Sequence, residues 1–275
     1  MPETPKIPIA LTGPQETALA TLYARALEAE AAEPLLGDPF AGNLVNRIEY
    51  DWPKTGITPR NVSAGTVRSV VLDGWARQFL AVHDQAVVLH LGCGLDGRVF
   101  RLDPGAGVEW YDVDFPGVIA LVDKLYPPRE HYHTVGASVT DPAWLAAIPA
   151  DRPVLLIAEG LTYYLTEDDG VALLRQVVEH FPSGEMQFDV CNWLSIKLQK
   201  FNPVISRSGS TLHWAVNEPD DILQAVPGVR LLAAISIFDT DEFKRLPGAA
   251  YRALGKVIRT LPGLQNLAQL HRYAF

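Results

Sequence analysis

The chain is poor in cysteine: among 275 residues, Cys93 and Cys191 are the only two. No CxxC spacing joins them, which excludes a disulfide framework and a thiolate metal cluster and makes a reducing cytoplasm the expected compartment. Positive charge is also scarce. Lys and Arg number 23 against 32 Asp and Glu, a net charge of −9 with pI near 5.2. A general nucleic-acid or anionic-membrane binder needs a basic footprint, so both classes are excluded as partners. Long hydrophobic runs are missing too: clean ones such as Val154 to Ala158 are far short of the roughly 20 residues of a membrane span. The N-terminus (MPETPKIPIALTGPQE) has Pro at 2, 5, 8 and 14 and lacks the apolar core of a signal peptide. What is present is a 48% apolar fraction, only 20% charge and a mean hydropathy of +0.07. These describe a chain with a real core, long for one domain and short for two.

The first third reads helical. Thr17 to Glu33 places Leu19, Leu22, Tyr23, Ala26 and Leu27 at helical spacing and stops at Pro34. A second helix is expected near Asp38-Pro39, and a third from about Ser63 to His83 with Val67, Val70, Val71, Trp75 and Phe79 as its buried stripe. From residue 86 short apolar runs alternate with helical segments, the pattern of a parallel sheet covered on both faces. The runs are 86–91, 108–113, 131–136, 153–158 and 185–190, followed by 229–238 and a closing 267–275. The expectation is a doubly wound α/β fold whose mostly parallel sheet has seven strands. One domain spans 1–275: a helical cap (1–85), a cofactor-binding core (86–190), a lid insert after the fifth strand (191–226) and closing strands and helix (227–275).

The first strand runs directly into Gly92-Cys93-Gly94-Leu95-Asp96-Gly97, a GxGxxG string between strand and helix, and Asp114 lies twenty positions beyond Gly94. Glycines permit a tight turn and close backbone approach, and a carboxylate at the end of the next strand accepts ribose hydroxyls. An adenosine-containing cofactor follows. The glycines alone leave open an NAD-dependent oxidoreductase or a non-catalytic nucleotide-binding module; a loop at residue 92, behind three helices, suits a methyltransferase. The string Tyr50 to Lys54 mimics a dehydrogenase Tyr-x-x-x-Lys pair, but it precedes the loop and contains Pro53. His131 and His133 share a strand face without a third ligand at metal spacing, so no metal site is expected.

The series Arg68 with Asp73 and Phe79, then LHLGCGLDGRVFRL, WYDVDFPGVI, GASVTDPAWL and LLIAEGLTYYL, resembles the leucine carboxyl methyltransferase family, including its bacterial polyketide O-methyltransferase branch. The match runs from about residue 15 to 200 in consistent order. The resemblance implies a class I, Rossmann-like methyltransferase that uses S-adenosyl-L-methionine, releases S-adenosyl-L-homocysteine and methylates an oxygen. It also implies roles. Arg68 pairs with the cofactor's carboxylate, Gly92 and Gly94 form the loop beneath it, Asp114 holds the ribose, and Glu159 faces the amino group. Ser138 and Val139 contact adenine; Ser138 stands where eukaryotic members carry an acidic residue. Tyr164 matches a tyrosine near the transferred methyl, Tyr163 lies beside it, and Arg25 matches a basic position at the pocket mouth.

In such a fold the region after the fifth strand overlies the strands' C-terminal ends. Asn192, Trp193, His213 and Trp214 are therefore substrate-pocket candidates. An ionised carboxylate acceptor needs no base, whereas a phenol would want one, a part open to His213. The aromatic insert points to a small, aromatic or polyketide-like acceptor.

Overall fold

In the computed structural model, which describes residues 6–275 apart from 10, 60, 61, 247, 248 and 262, the seven apolar runs are strands. They are β1 (Ala86–Leu91), β2 (Val108–Asp114), β3 (Tyr132–Gly136), β4 (Val154–Ala158), β5 (Gly184–Cys191), β6 (Arg230–Ser236) and β7 (Ala268–Ala274). One sheet joins them in the order β3-β2-β1-β4-β5-β7-β6. The first five are parallel; β7 runs antiparallel to β5 and to β6. β1 and β4 are buried along their whole length and read as apolar runs, interrupted only by the buried His90 in β1. The strand order reverses between them, opening a crevice at their C-terminal ends.

The cap contains α1 (Thr17–Ala29), α2 (Ala41–Arg47) and α3 (Ser63–Leu80). α1 stops four residues before the expected end because the Glu28 carboxylate captures the next turn, accepting from the backbone N–H groups of Leu35, Leu36 (3.1 Å) and Gly37 (3.0 Å). α2 begins at Ala41, with Asp38 Oδ1 accepting from the Phe40 and Ala41 amides. The cap is not wholly helical: Ile7–Pro8 pairs in parallel with Ile48–Glu49. The Tyr50 and Lys54 side chains both grip Glu16, a structural clasp.

Helices α4 (Arg98–Leu102), α5 (Pro116–Leu125), α6 (Ala143–Ala146) and α7 (Glu167–His180) cover the sheet. The insert holds α8 (Trp193–Leu198), α9 (Pro203–Ser208) and α10 (Pro219–Ala225); α11 (Asp241–Lys244) and α12 (Ala249–Thr260) precede β7. One core cluster gathers Leu89, Leu156, Phe188 and Tyr273. A second packs Phe79 with Trp110 and Ile157, and a third joins the cap's Leu19 and Leu22 to Leu95 of the glycine loop. The insert meets the cap where Arg207 Nη1 donates to the Pro53 and Lys54 carbonyls.

Candidate active site

A cavity of about 550 Å³ opens over the crevice. The ends of the first four strands deliver groups to it: Gly92, Cys93 and Gly94 after β1, Asp114 at the end of β2, Ser138 and Val139 after β3, and Glu159 and Gly160 after β4. Gly92 and Gly94 have φ of 60° and 56°, a region L side chains avoid. Space is equally short, since a Cβ on Gly94 would come within 3.2 Å of Ala18 in α1. The cap thus packs directly on the loop.

Asp114 is held by the loop it serves. Its Oδ2 accepts from the Gly94 amide (2.8 Å) and its Oδ1 from the Phe115 amide (2.7 Å). Burial raises its pKa, and the two amides oppose that shift. Each oxygen keeps a lone pair for a further donor, which is what a ribose diol requires.

Arg68, on α3, lies between two carboxylates. Its Nε donates to Glu159 Oε1 (2.9 Å), and its Nη1 donates to Asp189 Oδ2 (2.9 Å) and to the Tyr163 hydroxyl (2.9 Å). Among the described residues Nη2 has no partner, so one corner of the guanidinium remains for a ligand carboxylate. Glu159 is more committed than the sequence suggested. Oε1 also accepts from Ser69 (2.7 Å), and Oε2 accepts from Arg98 Nη2. Burial alone would raise its pKa, but Arg98 and Arg68 hold it down at about 2, so the group is a fixed anion and no general base.

Behind Glu159 the charges continue. Arg98, fully buried, bonds Asp73 (2.8 Å); Arg101 bonds Asp73 (2.7 Å) and Asp96 (2.9 Å); Arg25 bonds Asp38 (3.0 Å). Arg25 borders the cavity as expected; buried on Asp38 and on the Leu95 carbonyl (2.7 Å), it also ties the cap to the glycine loop.

Three expected substrate contacts lie away from the cavity. Asn192 caps α8, accepting from the Ser195 amide and donating to the Gly263 carbonyl. Trp193 is half exposed beneath Lys197, and Trp214 is buried against Gly170 of α7, where a Cβ would lie 2.1 Å from its ring. The missing side chain of Gly170 leaves the notch that the indole occupies. Tyr163, Tyr164 and His213 do line the cavity. Burial raises both tyrosine pKa values, keeping the phenols protonated. His213 is exposed at the cavity edge, its amide on the Tyr163 carbonyl, and its ring has no hydrogen bond among the described residues. His131 and His133 both bond Glu109 on the far edge of the sheet. Asp189, Ser69 and Arg98 were missed; Asp189 sits in an alternating strand, where a carboxylate gives little signal.

The family model for leucine carboxyl methyltransferase matches residues 18–178. The chain belongs to the leucine carboxyl methyltransferase family. It is an S-adenosylmethionine-dependent methyltransferase, and the nicotinamide and non-catalytic alternatives fall away. Among relatives of this family member, the tetracenomycin polyketide synthesis O-methyltransferase TcmP of Streptomyces glaucescens is 42% identical over 267 residues, 97% of this chain and 98% of that one. The S-adenosyl-L-methionine-dependent methyltransferase dpfgK of Gibberella zeae is 37% identical over 81% and 82%. A methyltransferase structure from Thermobifida fusca superposes with a TM-score of 0.59 at 15% identity over 91% of this chain and 93% of that one, a likeness of fold. No described helix is long and apolar enough to cross a membrane.

Proposed function

We propose that the enzyme methylates a carboxylate oxygen of a small, hydrophobic, aromatic or polyketide-like acceptor. The observation that carries this reading is a roomy cavity in which, among the described residues, no histidine is set up as a general base. Glu159 is locked in ion pairs, and neither cavity histidine among the described residues is equipped: Asp112 (2.9 Å) and Arg98 (3.3 Å) engage both nitrogens of the His90 ring, and no carboxylate bonds the His213 ring. An ionised carboxylate needs neither. Both described arginines bordering the cavity are already paired, and the cofactor's sulfonium offers that acceptor an opposite charge. The likeness to TcmP, a tetracenomycin polyketide synthesis O-methyltransferase, supports the acceptor class.

The residues present fit S-adenosylmethionine: an unshared guanidinium corner, two glycines under a close-packed cap and an anchored aspartate. Arg68 would hold the carboxylate, Gly92 and Gly94 the chain beneath it, Asp114 the ribose, and Ser138 and Val139 the adenine. Bound there, the cofactor supplies an electrophilic methyl group. The protein's part is to align the acceptor and exclude water. Tyr164 and the Ile205 and Val204 side chains of the insert supply an apolar wall on that side. The net charge of −9 supports a small-molecule partner over nucleic acid, and the two buried free cysteines support a cytoplasmic setting.

Labelled cofactor offered with aromatic acids, phenols and peptide C-termini tests the assignment. A methyl ester releases its label as methanol in mild alkali; a base-stable label on a phenol would overturn the carboxylate reading. Thermal unfolding gives the companion check, because S-adenosylhomocysteine at a hundred times its Kd adds about 2.7 kcal/mol while NAD adds nothing.

A further inference from the structure

Asp189, buried in β5, does not border the cavity, yet three groups that do are fastened to it. Its Oδ1 accepts from the Gly160 amide (2.7 Å). Its Oδ2 accepts from Arg68 Nη1 (2.9 Å) and from the Tyr163 hydroxyl (3.4 Å), which itself accepts from the same Nη1. Glu159 fixes only the Nε edge of the guanidinium. Asp189 fixes a second edge, and two held edges define the plane. The remaining nitrogen, Nη2, then lies across Gly160, whose φ is 71° and whose Cβ, if it had one, would come 3.1 Å from it.

We propose that Asp189 is a positioning residue that aims the free corner of Arg68 at the cofactor's carboxylate. The proposal rests on the assignment of that carboxylate to Arg68. Asp189→Asn keeps the shape but not the pattern. Either orientation of the amide sets an N–H against the Gly160 amide or against Arg68 Nη1, and the guanidinium or the loop beneath it must turn away.

Calorimetric binding of two probes tests this. S-adenosylhomocysteine carries the amino-acid carboxylate; 5′-methylthioadenosine has the same adenosine and thioether without it. Asp189→Asn is expected to weaken the first by at least about tenfold and to leave the second within about twofold. Equal weakening of both probes, the mark of a merely structural role, overturns the proposal, as does an unchanged affinity for S-adenosylhomocysteine. Arg68→Ala separates the two levels. If it leaves S-adenosylhomocysteine binding intact, the assignment of Arg68 itself fails; if it weakens that binding and Asp189→Asn does not, only the role of Asp189 fails. Should Asp189→Asn not fold, Tyr163→Phe strips one partner from the Asp189–Arg68 contact. A loss selective for S-adenosylhomocysteine is expected there too, and an equal loss or none overturns the proposal.

Discussion

At the scale of single residues, Glu159 shows how a buried charge is made tolerable and what that costs in versatility. Two arginines and a serine consume both its oxygens, so it stabilises the folded chain as an anion instead of moving protons. Its folded pKa of about 2 lies below the ordinary 4.5. Its contribution is therefore complete above about pH 4.5 and is lost as pH falls toward 2. Glu159→Gln is expected to destabilise the protein by about 3–5 kcal/mol at pH 7, because Arg98 loses a buried partner, and to flatten that acid limb in urea titrations. Glu159 was legible because a carboxylate immediately after an apolar strand has few structural excuses. Asp189 carries no such signal: its strand, EMQFDV, alternates and reads as an ordinary half-buried strand in which a polar residue faces outward. Only the neighbouring β7 and the overlying Arg68 reveal its burial.

Whole elements were legible to the degree that their signals were local. The strands of the sheet followed from apolar runs, whereas the two-residue pairing of Ile7–Pro8 with Ile48–Glu49 is too short to leave a pattern. The insert borders the cavity through Val204, Ile205 and His213, but the orientation of its tryptophans was not legible. Trp214 faces α7 because Gly170, far away in sequence, provides a notch. Gly170→Ala is expected to expel the indole, lower stability by about 1–3 kcal/mol and weaken acceptor binding by loosening the neighbouring His213 segment. Unchanged melting and unchanged acceptor KM would contradict that coupling. β7 carries a different dependence. His271, buried between Tyr273 (2.9 Å) and Gln269 (3.4 Å), has its pKa lowered from 6.5 to about 4 by burial, against a weaker opposite pull from Asp221. The unfolded chain takes up that proton first, so stability falls as pH drops from about 6.5 to about 4. In His271→Gln, denaturant midpoints should lose this slope.

For the molecule as a whole, the surplus length beyond the sheet forms a roof whose foundations lie in the cofactor loop. Arg25, Asp38, Arg68 and Asp73 come from the first 85 residues, and Asp96, Arg98, Arg101, Glu159 and Asp189 from the core that follows. Deleting residues 1–40 removes Arg25 and Asp38 from this set and uncovers Leu95 and Val118. Residues 41–275 are expected to show no cooperative melt by circular dichroism and no binding of S-adenosylhomocysteine; a sharp transition would make the cap a separable unit. The charge linkage bears on how such enzymes diversify. A chimera joined near residue 85 would inherit anions from one parent and their counter-ions from the other, so roof and loop descend as one heritable block. Acceptor choice is then free to drift only in the side chains between them.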